Sequence, residues 1–259
     1  MLSIESLPPL SNPVAVYNRD GAGRVVLLCE HASNYIPPQY RGLGLCAQDL
    51  QRHIAWDPGA SATAQWLSQK LDAPLVCATY SRLLLDLNRK LSAPDSIVKH
   101  SENTSIPGNE SLDAVELLNR HSLYAPYHKE VENLINSRRA ALKEKLPVVI
   151  SIHSFTPVYS GVARPWHIGV LSQHDRRFAD ALLAILREDN SLCVGDNQPY
   201  APQDGVYHNM EQHAESHGLP CAMLEIRNDL ITDRLGQREW SERLSVAIER
   251  ALLCMDAID

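Results

Sequence analysis

Short apolar runs alternate with longer amphipathic stretches along this chain, and the alternation predicts an α/β fold. Residues 25–30 (VVLLCE), 74–79 (PLVCAT), 147–152 (PVVISI), 167–171 (HIGVL) and 220–226 (PCAMLEI) are short and almost uniformly apolar, as strands covered on both faces are. A weaker strand is expected at 192–194. Helical spacing predicts helices at 58–71, 113–144, 176–188, 209–217 and 235–255. In the first of these, Ala62, Trp66 and Leu67 share a face, Asp57 is the expected N-cap, and Pro58 occupies the favoured first helical position. The second is expected to break near Pro126, and Gly218 ends the fourth. Residues 83–87 are apolar but too few to type, and 91–110 read as a long polar loop of the kind that often carries function. The fold expected is a three-layer sandwich, with a central mixed, mostly parallel sheet flanked by helices. No repeat or linker interrupts it, so residues 1–259 are expected to form one domain, with 1–23 an irregular N-terminal segment.

Composition changes this picture mainly by exclusion. The chain has 259 residues, 44% hydrophobic and 21% charged, enough to bury a core. Its net charge of −7, with no basic block, argues against nucleic-acid binding. No apolar run approaches the ~20 residues that span a bilayer. The first residues are acidic and interrupted by Pro8, Pro9 and Pro13, without the basic and apolar regions of a signal peptide. A cytoplasmic location with reduced thiols is therefore expected. The six cysteines show no paired metal spacing, and Cys29, Cys77 and Cys221 lie in apolar runs that read as core. No GxSxG elbow occurs, and Gly21 and Gly23 precede the first strand, so neither a serine hydrolase of that type nor a dinucleotide fingerprint is present. What composition adds is histidine, 11 residues against 2 Phe, and histidine is suited to metals and proton transfer.

Ligands of open α/β sheets bind beyond the carboxyl ends of the strands, so the polar residues there come first. The first strand ends in Glu30-His31-Ala32-Ser33-Asn34, the strand at 147–152 in His153-Ser154, and the strand at 220–226 runs into Arg227-Asn228 just after Glu225. Asp57 stands at the start of the first helix. Catalytic zinc takes three ligands from His, Asp or Glu, and a neighbouring unliganded carboxylate can serve as general base. His31, Asp57 and His153 suit the ligand roles and Glu225 the base. Each alone is more often a hydrogen-bonding or capping residue, and it is their joint placement that points to a site.

The stretches EHASN (30–34), HIAWDPGA (53–60), YSRLLLDLNR (80–89), SIHSFTP (151–157) and MLEIRNDL (223–230) resemble the N-formylglutamate amidohydrolase family, in that family's order and over about residues 25–252. The resemblance implies a zinc-exopeptidase-like fold, with His31, Asp57 and His153 as zinc ligands and Glu225 as the catalytic carboxylate. It implies Asn88-Arg89 as the pair that holds a substrate carboxylate, a role for which the planar guanidinium fork is suited. Arg82 and Arg227 lie inside matching motifs and are the next candidates for binding substrate; their bland reading is an ion pair with Asp86 or a surface acid.

The sequence departs from the deformylase branch of that family, whose first ligand sits in a Pro-His-Ser-Gly-type motif. Here Glu30 precedes the histidine and adds a negative charge beside the site. N-formylglutamate, another N-acyl amino acid and a small peptide-like amide are all compatible with that. His53, His128 and His208 are candidates for supporting the site from behind. His213 and His217 share a helical face but lack the Glu of an HExxH motif. The function expected is thus a zinc-dependent amidohydrolase, the ion being Zn2+ or another divalent metal, acting on a small N-acyl amino acid, with no nucleic-acid or membrane partner. The alternatives are a metal- or small-acid-binding protein without catalysis and a peptidoglycan-type amidase.

Overall fold

A computed structural model describes residues 10–257 of the chain; the first nine residues, and with them the start of the segment expected to be irregular, lie outside the described residues. Seven strands form the central sheet: β1 (Val14–Tyr17), β2 (Val25–Cys29), β3 (Leu75–Ala78), β4 (Val148–Phe155), β5 (Ile168–Leu171), β6 (Val194–Asp196) and β7 (Cys221–Arg227). Their order is β1-β3-β2-β4-β7-β5-β6. The middle strands β3, β2, β4 and β7 are parallel. β1 is antiparallel to β3 at one edge, and the parallel pair β5 and β6 joins β7 antiparallel at the other. The sheet is therefore mixed and mostly parallel.

Six helices flank it: α1 (Ala60–Lys70), α2 (Ala114–His121), α3 (Tyr124–Leu142), α4 (Arg177–Leu186), α5 (His208–His213) and α6 (Arg234–Asp256). Alternation along the strands sends their side chains into two separate cores. Val25, Leu27, Val148, Ile150, Ile152, Ala222 and Leu224 pack with α1, α4 and α6 on one face. Val26, Leu28, Val149, Cys221 and Met223 pack with α3, α5 and the long connections on the other. Six cysteines are free, with Cys29, Cys77 and Cys221 buried as their apolar surroundings led one to expect. Among the described residues no helix is long and apolar enough to cross a membrane.

Several local expectations are corrected. Val14–Tyr17 is a strand within the stretch expected to be irregular; it is short, half exposed and at the edge, so no hydrophobic alternation announces it. The break in the second helical region falls at Ser122 and Leu123, ahead of Pro126. Pro126 lies in the first turn of α3, where its missing N–H costs nothing. Asp57 does not cap α1. The cap position is Gly59 at φ 81°, and α1 starts at Ala60. Residues 83–87, too few to type from sequence, are buried turns whose Leu83, Leu84, Leu85 and Leu87 anchor a loop in the second core.

Candidate active site

The carboxyl ends of the parallel strands open into a cleft of about 180 Å³, lined among others by His31, His53, Asp57, Arg82, Arg89, His153, Tyr159, Tyr200 and Glu225. Each arrives by a different local device. His31 is two residues past the end of β2. Asp57 is held beside it by a backbone hydrogen bond, its N–H donating to the His31 carbonyl at 2.9 Å. Gly59 fixes the turn that follows: a side chain there would meet the Ile231 carbonyl oxygen at 2.3 Å, besides opposing the positive φ. His153 lies within β4, which runs three residues further than its apolar pattern suggests. Glu225 lies on β7 in register with His153, so both side chains leave the same face of the sheet.

His31, Asp57 and His153 converge. One ring nitrogen of each histidine and a carboxylate oxygen of Asp57 all lie within 4.8 Å of one another, and all three residues are buried. His153 Nδ1 is 2.8 Å and His31 Nδ1 3.4 Å from Asp57 Oδ2. The opposite ring nitrogens each face a further buried carboxylate. His31 Nε2 lies 2.8 Å from Asp86 Oδ1, and His153 Nε2 lies 3.0 Å from Glu30 Oε2. Metal-binding histidines are commonly oriented in this way, with the ring nitrogen away from the ion facing a carboxylate. His31 Nδ1 is itself buried without a hydrogen-bond partner, an orphaned donor atom of the kind a cation satisfies. The donor set, two imidazoles and a carboxylate, fits Zn2+ and related divalent ions.

The carboxylates behind the cluster are firmly held. Glu30 accepts hydrogen bonds from Ser151 Oγ at 2.5 Å and from Asn209 Nδ2 at 2.7 Å. Burial pushes its pKa up, but the His153 charge and the hydrogen bonds with His153 and Ser151 outweigh that and leave it at about 2. Glu30 therefore braces His153 from behind, a negative charge beside the site that is absent from the cleft lining itself. Asp86 accepts from Arg82 Nη2 at 2.5 Å. Burial opposes its ionisation, yet Arg82 and His31 hold it well below the usual carboxylate range. Asp57 is likewise held low by His31 and His153 against its burial.

Glu225 is the exception. It is buried, its Oε2 has no hydrogen-bond partner, and burial raises its pKa to about 7, with the negative Asp57 adding to the rise and the histidines opposing it. A carboxyl group poised there, within a cleft, can both accept and release a proton near neutral pH.

The expected substrate-binding residues divide. Arg82 and Arg89 line the cleft. Arg82 also lies 3.8 Å from Asp57 Oδ1, and Arg89 Nε donates to Asp95 at 2.7 Å. Asn88 lines the cleft too, but its side-chain oxygen accepts from Asn209 N and its Nδ2 donates to the Val206 carbonyl. Arg227 does not reach the cleft. Its Nε donates to Asp229 at 2.8 Å and its Nη1 to the Pro165 carbonyl at 3.3 Å, because it ends β7 where the chain turns away. Of the supporting histidines, His53 lines the cleft and lies 3.2 Å from Glu102. His128 and His208 do not line it: His128 Nδ1 is 2.7 Å from His213 Nε2, and His208 Nε2 is 2.6 Å from Tyr124 Oη. Sequence reading missed Tyr159 and Tyr200, since aromatic residues in polar loops carry no spacing signal.

The chain can now be set beside known proteins. Residues 23–232 match the family model described as N-formylglutamate amidohydrolase. The crystal structure of the Agrobacterium tumefaciens gene product Atu2144 is similar at 44% sequence identity and a TM-score of 0.91, over 95% of this chain and 97% of that one. The crystal structure of N-formylglutamate amidohydrolase from Ralstonia eutropha JMP134 shares the fold at 16% identity, with a TM-score of 0.65 over 95% of this chain and 99% of that one. No curated protein sequence matches the chain. With the family model covering most of its length, the chain belongs to the N-formylglutamate amidohydrolase family.

Proposed function

We propose that this protein is a divalent-metal-dependent amidohydrolase that cleaves the amide of a small N-acyl amino acid, N-formylglutamate being one candidate. The observation that carries this reading is the pairing, in one cleft, of a buried His-Asp-His cluster with a buried carboxylate that has a partnerless oxygen and a pKa of about 7. His31, Asp57 and His153 would hold the ion. A divalent cation held there supplies Lewis acidity to a carbonyl and makes water more acidic, with Zn2+ the ion proposed.

The remaining chemistry belongs to the chain. Glu225 takes a proton from water as its oxygen adds to the amide carbon. It then releases that proton to the nitrogen as the C–N bond breaks, giving a free amine and a carboxylic acid. Arg82 and Arg89, which line the same cleft as Glu225, are proposed to receive a substrate carboxylate, with Asn88 setting the position of Arg89 through its ties to Asn209 and Val206. A cleft of about 180 Å³ is small by the standard of ligand pockets and suits a compact substrate.

An amine-release assay on a panel of N-acyl amino acids, run alongside metal analysis of the purified protein, tests the proposal. Amine release that depends on bound divalent metal supports it. Bound metal with no release from any member of the panel would leave a metal-binding protein without this activity.

A further inference from the structure

Tyr200 lines the cleft, and its hydroxyl accepts a hydrogen bond without giving one. Arg164 Nη1 donates to Tyr200 Oη at 2.9 Å, and no described residue accepts the Tyr200 proton. The Arg164 guanidinium carbon also lies 4.7 Å from the Tyr200 ring centre, so ring and oxygen are held by the same group. A hydroxyl that accepts from a cation is polarised into a better donor. Two other neutral donors of the lining are spent on the backbone, Asn88 Nδ2 on the Val206 carbonyl and Ser154 Oγ on the Pro58 carbonyl.

The loop that carries Tyr200 is pinned on both sides. Asn197 N–H donates to the Val170 carbonyl at 3.0 Å, and the Asn197 side chain accepts from Ser172 N–H and donates to the Ser172 carbonyl, each at 3.0 Å. The next residue lies directly on β5, where a side chain at Gly169 would collide with the Gln198 carbonyl oxygen. Beyond the tyrosine, Ala201 N–H donates to Asp204 Oδ2 at 2.9 Å. The hydroxyl so fixed is within electrostatic reach of the cleft's proton-moving group. Burial raises its pKa to about 12, the Glu225 carboxylate adds to the rise, and Arg164 and Arg82 oppose it. It therefore keeps its proton through neutral pH.

A substrate carboxylate calls for a cation. A neutral donor, fixed beforehand beside Glu225, suits an oxygen whose charge develops only as water adds to the amide carbon. We propose that Tyr200 is a further catalytic residue, whose hydroxyl donates a hydrogen bond to the oxygen of the bound amide carbonyl and holds it as the carbon turns tetrahedral. The proposal rests on the amidohydrolase reading. Arg164 is the positioning residue that aims the hydroxyl from outside the cleft lining.

The test uses metal-loaded wild type and Y200F, with the fastest substrate of an N-acyl amino acid panel and with calorimetric titration of methylphosphonate, a tetrahedral anion. Y200F keeps the ring on which Arg164 rests and deletes only the hydroxyl. Its kcat should fall about 10²-fold with KM changed by less than about threefold, the pattern of an interaction made in the transition state. Tyr200→p-aminophenylalanine restores an N–H donor but is a poor acceptor for Arg164. It should hold kcat within about tenfold of wild type, and it carries the test where Y200F is poorly folded. A Y200F kcat within about threefold of wild type, a loss confined to KM, or an amine variant as slow as Y200F overturns the proposal in favour of a resting place for Arg164. Should wild type hydrolyse no member of the panel, the amidohydrolase reading fails, and methylphosphonate decides on Tyr200. Binding weakened at least about tenfold in Y200F upholds the donor role; a smaller change, or no binding to wild type, overturns it.

Discussion

Glu225 and His153 are register partners on adjacent parallel strands, and they meet opposite electrostatic fates. Buried between Glu30 and Asp57, His153 is raised well above the usual imidazole range in spite of its desolvation, because both carboxylates favour its charged form. Glu225 has no such partner on its Oε2, and burial drives it towards neutrality. One strand register thus places a position built to attract a cation beside a carboxyl group built to exchange a proton.

Glu30 and Asp86 orient the two histidines, so Glu30→Gln and Asp86→Asn should each weaken divalent-metal affinity by about 10- to 100-fold with all three ligand side chains intact. Competition with a metal indicator of known affinity measures this. Unchanged affinity in both variants would mean that these carboxylates balance charge without positioning the rings.

Glu225 also makes stability depend on pH in the metal-free protein. Its folded pKa of about 7 lies above the ordinary glutamate value of ~4.3, so between those values the folded state binds more protons than the unfolded state. The contribution of this group to stability is therefore lost as pH rises through that window. Glu225→Gln removes the penalty. The metal-free variant should match wild type in Tm near pH 4 and exceed it by a few degrees near pH 8, as followed by thermal melts across pH. A difference that stays flat with pH would contradict the assigned environment.

Gly59 couples the fold to the site. Its φ of 81° and the approach of the Ile231 carbonyl oxygen leave no room for a methyl group. Gly59→Ala should destabilise the protein by about 1–3 kcal/mol and, by shifting the turn that carries Asp57, lower metal affinity as well. Denaturant melts with and without Zn2+ read both effects.

Much of this was legible in the sequence because the sheet's strands are short apolar runs and several polar residues of the cleft lie at or near their carboxyl ends. His31, His153 and Glu225 stand out at the carboxyl ends of those runs and Asp57 at a helix start, and the sheet's parallel middle follows from the βα alternation. The rest depends on three-dimensional detail. Asp57 reads as a helix cap, since Asp-Pro-Gly is a good helix start; only the left-handed Gly59 frees its carboxylate for the histidines. Glu30 reads only as a negative charge beside the site; that it takes the far side of the His153 imidazole is not legible, because nothing in a strand-end motif says which side of a ring a neighbour will take. Arg227 shares a motif with Glu225 but turns to Asp229 beyond the strand end. Arg164 was invisible: the partner that holds its Nη1, Tyr200, lies 36 residues away in the chain.

The central claim is that Glu225 moves the proton at a site whose ion is held by other residues. Turnover and metal content measured together on the same Glu225→Gln sample test it most directly. The account predicts wild-type metal content, with N-acyl amino acid hydrolysis reduced by about 10²- to 10⁴-fold. Hydrolysis within a few-fold of wild type in a variant that retains its metal would contradict it.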